Sequence, residues 1–400
     1  MQKACDINIS SYPWYIAFSS LLFWFPVFFL YFSSKVSIDQ VLLLEAIYYA
    51  FVVLLEVPSG YLSDLLGRRI ILIISSLTAV GSYLVFFMAD EFALLMIAQG
   101  LLAAHISFKS GTDSALLFES LVMSNRKPDI GNELARAQRF GLIATAFAAF
   151  FGGLIGGYNL SLPYALSAIA AIAALAISIK FTEPSKSQRS LAKPVLDQFA
   201  EIFKYLKKPQ LFWIFLFSVI IFVLVHVPYE YFQPYIKMLF SDNAAYDQSP
   251  VVAGILISIT MLLGSYASNY SIPLQRRFGT GTALFLIIII AVLIIGIMAI
   301  FLHMLVLAIL MMRSVPMSLS NPIIQSVLHE NITDEIRASF LSVLSLISRL
   351  TFSLTLLVTA LLIGEPDSLD FRQLQLIIIG YIALASIFIP VFWLRRRKIA

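Results

Sequence analysis

The sequence predicts an all-α integral membrane protein, with twelve transmembrane helices in two pseudo-symmetric six-helix bundles. Three observations predict it. Of the 400 residues, 60% are hydrophobic and only 12% charged, with a mean hydropathy of +0.90. The apolar residues come in repeated runs of about twenty, the length that crosses a bilayer core. One long polar connection, 182–209, divides these runs into six and six. A barrel is excluded: its strands would alternate polar and apolar residues in segments of about ten. Runs such as ALFLIIIIAVLIIGIMAIF (283–301) do not. In lipid only helices remain, because they satisfy their own backbone.

The elements follow in order. Span 1 (12–32) is crowded with aromatics, including Trp14, Tyr15, Phe23, Trp24, Phe25, Phe28, Phe29, Tyr31 and Phe32. Span 2 (41–61) carries Glu56 towards its end, and span 3 covers 70–89. Span 4 (92–112) leads His105, Lys109 and Asp113 at i, i+4 and i+8, one helix face, with the last two spaced as an ion pair. Span 5 (138–158) contains FGGLIGG (151–157), small residues suited to close helix packing, and span 6 covers 163–181. Span 7 (210–235) ends in HVPYEYFQPY, where Pro228 and Pro234 are expected to break the helix. His226, Glu230 and Gln233 share one face there, beside Tyr229. Spans 8 and 9 cover 249–270 and 280–301. Spans 10 (304–326) and 11 (339–362) each hold an arginine about ten residues in, Arg313 and Arg349, and span 12 is 374–394.

An even number of spans puts both termini on one side. With the N-terminus inside, 21 of the 27 basic residues fall on the inner side, and only Lys35, Lys237 and Arg372 fall outside. The positive-inside rule therefore expects both termini in the cytoplasm and the protein in the cytoplasmic membrane. The net charge of +4 is accounted for by topology, so no nucleic-acid partner is expected. A single cysteine, Cys5, excludes an internal disulfide framework. The first apolar segment is long enough to span, so no cleavable signal is expected. The bundles are expected at 1–181 and 210–400, joined by a cytoplasmic linker, 182–209, in which VLDQFAEIFKYL (195–206) has the spacing of a helix lying on the inner face.

The connection between spans 2 and 3 reads GYLSDLLGRR (60–69). It resembles the loop signature of the major facilitator superfamily: glycine, three residues, aspartate, two residues, glycine, arginine, then lysine or arginine. A degenerate second copy, LQRRFGTGTAL (274–284), matches LSDLLGRRIIL (62–72) at an offset of 212 residues and joins the matching helices of the second half. The resemblance implies the superfamily fold over the whole chain. It also implies that Asp64 faces the N-terminal end of helix 11, near Thr333–Arg337, as a helix dipole favours. Gly60 and Gly67 suit close packing and a tight turn. Arg68 can pair with Asp113 or Glu119, and Arg69 reads chiefly as a topology anchor. Gly60, Asp64, Gly67, Arg68, Arg69 and Asp113 together form the expected gate, closed on one side and broken as the halves rock. The nearest branch by resemblance is the drug:proton antiporters. Their helix 5 motif contains a proline that FGGLIGG lacks, which weakens that mark.

An ionisable group at membrane depth costs several kcal/mol unless it pairs or faces a cavity. Arg313 and Arg349 are the strongest substrate-binding candidates, with Trp24, His226, Tyr229 and Gln233 as further lining. Part of the aromatic set of spans 1 and 7 makes an apolar wall, since the resemblance places both helices at the cavity. Glu230, and after it Glu56, are the acids expected to exchange a coupling proton. No phosphate loop, zinc spacing or nucleophile arrangement is present, so no enzyme activity, metal or cofactor is expected. The expectation is a monomeric secondary transporter that exports small amphipathic compounds against protons by alternating access. The alternative is a carrier for an organic anion, a carboxylate or phosphate-bearing metabolite or siderophore, which two midplane arginines suit. A non-transporting receptor or assembly subunit is a third class, disfavoured by the lack of a sizeable soluble domain.

Overall fold

A computed structural model describes residues 2–184, 202–240, 249–332, 334–363 and 369–395. The expected linker helix over 195–206 falls largely outside the described residues, as do Thr333 and the side chains of Asp64 and of 334–337, the segment expected to face it. Eleven of the described helices or helix pairs are long and apolar enough to cross a membrane. The expected first span, in two pieces, is not among them. Among the described residues the secondary structure is helical throughout.

The chain forms two compact units. The first is Met1–Val36 with Gln40–Ala192. It contains α1 (Gln2–Ser19), α2 (Phe28–Ser33), α3 (Ile38–Leu66), α4 (Arg68–Met88), α5 (Phe92–Lys109), α6 (Thr112–Met123), α7 (Ile130–Gly156) and α8 (Leu162–Lys180). Here α1 packs on α6, α7 and α8, and α4 packs on α5 and α8. Serines knit the second group: Ser82 Oγ donates to the Ala98 carbonyl (2.8 Å) and Ser75 Oγ to that of His105 (2.8 Å). His105 is thereby satisfied as a buried packing residue, with Nδ1 also within 3.0 Å of Ser75 Oγ.

The second unit is Lys193–Ala400 with Ser37–Asp39. It contains α9 (Pro209–Phe240), α10 (Ser249–Ser268), α11 (Ser271–Phe278), α12 (Thr280–Ile300), α13 (Met304–Leu310), α14 (Val315–Asn331), α15 (Asp334–Ile363) and α16 (Phe371–Arg395). α9 is its centre and packs on α10, α12, α14, α15 and α16.

Four expectations about the helices are corrected. Span 1 is broken: α1 stops at Ser19 and α2 resumes at Phe28, and the interval contains Pro26, which has no N–H to continue a helix. Span 4 is also broken, at Gly111, whose φ of +73° turns the chain between α5 and α6. The i, i+4 geometry from Lys109 to Asp113 is lost there. Lys109 Nζ instead donates to Ser19 Oγ (2.7 Å), and Asp113 caps its own helix by accepting from Ser114 N (2.6 Å). Span 10 is interrupted at 311–314, between α13 and α14. Conversely, α9 runs unbroken through Pro228 and Pro234. Nearly every residue from Val227 to Ile236 is buried, which supports the continuous helix, and Tyr235 Oη pins it by donating to the Phe301 carbonyl (2.6 Å).

Candidate functional site

The first unit places Gly67, Arg68 and Arg69 of the expected gate at the start of α4, with Gly60 and Asp64 on α3 and Asp113 on α6. Gly67 has φ +101° and ψ 153°, a backbone that L side chains rarely adopt, so the turn expected there is present. The carboxylate of Glu183, just beyond α8, accepts from Arg68 N (3.0 Å) and Arg69 N (2.8 Å). An acid thus caps the positive end of α4. Arg68 Nε reaches Glu119 Oε1 at 3.3 Å and its Nη1 donates to Ser63 Oγ (2.7 Å). Of the two acids offered to Arg68, Glu119 is the partner and Asp113 is not. Arg69 does more than anchor: its Nη2 donates to the Ile179 carbonyl (2.9 Å), tying α4 to α8. Gly60 lies inside α3 with open space where a Cβ would be, so close packing does not explain it within this structure.

The break in span 1 is the first unit's second feature. Phe23 N donates to Ser167 Oγ (3.0 Å), and Thr145 Oγ1 donates to the Ser20 carbonyl (3.2 Å). Backbone freed from a helix at membrane depth is tolerated only when protein satisfies it in this way. Trp24 stands in the break, stacked on Tyr164 (6.2 Å between centroids, 11° between planes). Its Nε1 has no hydrogen-bond partner among the described residues. Glu56 is half-buried on α3. A second acid on the same helix, Glu45, is 6% exposed and accepts from Gln99 Nε2 of α5 (3.0 Å). Sequence reasoning passes over Glu45, although the rule that singles out Glu56 applies to it equally. Glu183 is missed for another reason: only the folded turn brings it to residue 67.

The second unit gathers its candidates around α9. His226 stacks on Phe222 (3.8 Å between centroids, 26°) and lies near Phe352 of α15 (5.2 Å) and Tyr229 (5.9 Å). Glu230 and Gln233 are fully buried. Arg313 sits in the interruption of span 10, about nine residues in, roughly 14 Å at 1.5 Å per residue. That is near the middle of a hydrocarbon core of about 30 Å. Gly264 and Ser314 bring α10 close there, Ser314 Oγ donating to the Thr260 carbonyl (2.8 Å). The Arg313 guanidinium is 4% exposed, lies 4.3 Å from the centroid of the Phe232 ring, and leaves Nη1 without a partner among the described residues. Arg349 is half-buried on α15, and its Nε donates to Ser345 Oγ (3.2 Å). It acts electrostatically on His226, and Arg313 on Tyr229, so both cations border the same stretch of α9. Neither forms an ion pair among the described residues.

The sequence profile of the Major Facilitator Superfamily matches residues 14–356. The chain belongs to that superfamily. The transporter is a secondary carrier by fold and class, built of membrane-spanning helices. No curated protein matches it. Among solved structures, the nucleoside transporter NupG is similar with a TM-score of 0.77 at 13% identity, covering 97% of this chain and 99% of that one. A bacterial homologue of the human lysosomal transporter Spinster, solved inward-facing and unoccupied, gives 0.71 at 12% identity, covering 99% and 97%. At such identities these likenesses show the fold.

Proposed function

We propose that the transporter carries a small organic anion by alternating access, held in the second unit by Arg313 and Arg349. One observation carries the reading: two cations at membrane depth border one stretch of α9, and no carboxylate pairs with either among the described residues. A buried arginine is retained only with a compensating partner. The ring of Phe232 supplies part of that, and a planar carboxylate or phosphate matches the rest of the guanidinium fork. His226, Tyr229 and Gln233 are proposed as further lining. The gate is proposed at Gly67, Arg68 and Arg69, with Asp64 and Asp113 beside them. Cytoplasmic termini in a cytoplasmic-membrane monomer are part of the proposal, supported by the bias of basic residues to one side.

Binding of a carboxylate and of a lipophilic cation to Arg313 and Arg349 variants tests the reading. Arg→Lys keeps the charge and loses the fork, so carboxylate affinity should fall about ten- to a hundredfold for a lost bond of ~1.5–3 kcal/mol. Arg→Gln should weaken it further, while cation binding stays level. Carboxylate affinity indifferent to all four variants would end the anion reading.

A second reading, proton-coupled export of amphipathic compounds, is favoured by the aromatic surround of Trp24 in the broken first span. Under it, Trp24→Ala should matter more than either arginine.

A further inference from the structure

The second unit holds a cleft of about 840 Å³ between α15 and α16. Both helices pack on α9 but scarcely on each other, which leaves a cleft between their described residues. Its size falls within the roughly 300–1,000 Å³ of small-molecule sites. The rim is apolar and outward-facing: Leu354, Val358 and Leu362 on one side, Leu376 and Leu384 on the other, all exposed. In spans of a membrane protein such residues meet acyl chains, so whatever occupies the cleft arrives from the bilayer.

The inner wall is different. Thr351, Thr355 and Thr359 recur at i, i+4 and i+8 and line one side. Each already donates its hydroxyl proton to its own helix, leaving its oxygen able only to accept. Tyr381 lines the other side and is 5% exposed. Its hydroxyl faces Thr355, Thr359 and Tyr231 of α9, yet neither tyrosine hydroxyl closes a hydrogen bond of sound geometry. A buried hydroxyl in this condition calls for a partner. Tyr381 lies ten residues into α16, roughly 15 Å along it, so this polar patch is near mid-membrane. Among the described residues no charged side chain lines the cleft. The ionisable group within electrostatic reach of both tyrosines is Glu230, which is fully buried.

We propose that this cleft binds a membrane-dissolved amphiphile whose head group donates a hydrogen bond, a long-chain alcohol or amine. The threonine oxygens accept from that head, Tyr381 Oη completes the contact, and the chain runs out between the leucines. A carboxylate head brings no donor to the threonine oxygens, so a fatty carboxylate is disfavoured. The site does not depend on the anion reading, since it faces lipid and uses none of the arginines.

The test uses the full-length protein in phosphatidylcholine nanodiscs and a photoactivatable hexadecanol, with crosslinks mapped by peptide mass spectrometry. Labels should fall on 351–362 and 373–384, and dodecanol or dodecylamine should displace them while dodecanoate does not. Tyr381→Phe keeps the ring, removes the hydroxyl and should lower labelling about two- to tenfold, as for one neutral hydrogen bond. Gly380 lines the cleft with open space at its Cβ position, so a side chain at 380 begins without a clash, and Gly380→Leu should fill the cleft and abolish labelling. Should Tyr381→Phe not survive purification, Gly380→Leu decides. Labelling that dodecanoate displaces equally, or that persists in the purified variants, overturns the proposal and makes the cleft a seat for bulk acyl chains.

Discussion

Glu183 and Gly67 act as one joint. A Cβ at residue 67 would lie 2.8 Å from the Glu183 carboxylate, and the positive φ strains any L residue besides. Glu183→Ala should therefore lower stability by ~0.5–2 kcal/mol, the worth of a helix N-cap. Gly67→Ala should cost more, because it adds backbone strain to the same clash. Combined, the two should destabilise by less than their sum, since removing the carboxylate makes room for the methyl while the φ strain stays. Thermal unfolding of the four proteins in detergent checks this; strict additivity would mean that the capping contact is not formed. In the sequence Gly67 and Arg68 are legible as a signature. Glu183 is not, because 116 residues separate two groups that only the packing of α4 on α8 brings together.

Helices were legible as spans, and their interruptions were not. Hydropathy is averaged over windows of about nineteen residues, so one proline or glycine barely alters it. Pro26, Gly111 and the 311–314 turn each sit within an apolar run that reads as continuous. Their consequence is large, because irregular backbone inside a membrane marks places where a carrier meets its substrate. The FGGLIGG stretch belongs to this level as well. A Cβ on Gly152 would sit 2.0 Å from the Phe23 carbonyl oxygen, so that glycine lets α7 approach the broken backbone of span 1. Gly152→Ala should then abolish stable expression or cost several kcal/mol, as overpacking against backbone does. Gly60→Ala, in a helix interior with open space at Cβ, should be neutral or gain up to ~1 kcal/mol. Size-exclusion profiles and melting temperatures of both variants measure the contrast, and a well-folded Gly152→Ala would disprove the close approach.

Across the whole molecule, Gly67 and Gly279 start the third helix of each half with nearly the same backbone, φ +101°, ψ 153° and φ +76°, ψ 157°. The faint repeat at an offset of 212 residues is thus a repeated turn, although among the described residues only the first copy carries a capping glutamate. The halves have also diverged in charge. Glu45 and Glu56 sit on α3 of the first unit, whereas Arg313 and Arg349 border α9 of the second, together with fully buried Glu230. If transport is coupled to protons, one of these acids must take up and release a proton during the cycle. Glutamine keeps the shape and hydrogen bonding of glutamate but cannot do so. In proteoliposomes, Glu230→Gln should abolish uphill movement driven by an imposed pH gradient and leave downhill exchange intact. Glu45→Gln and Glu56→Gln serve as matched controls in the first unit, and Glu45 carries the coupling instead if it alone shows that split. A variant that loses both uphill transport and exchange identifies a structural acid. Full response to the gradient in all three would exclude proton coupling through these carboxyls.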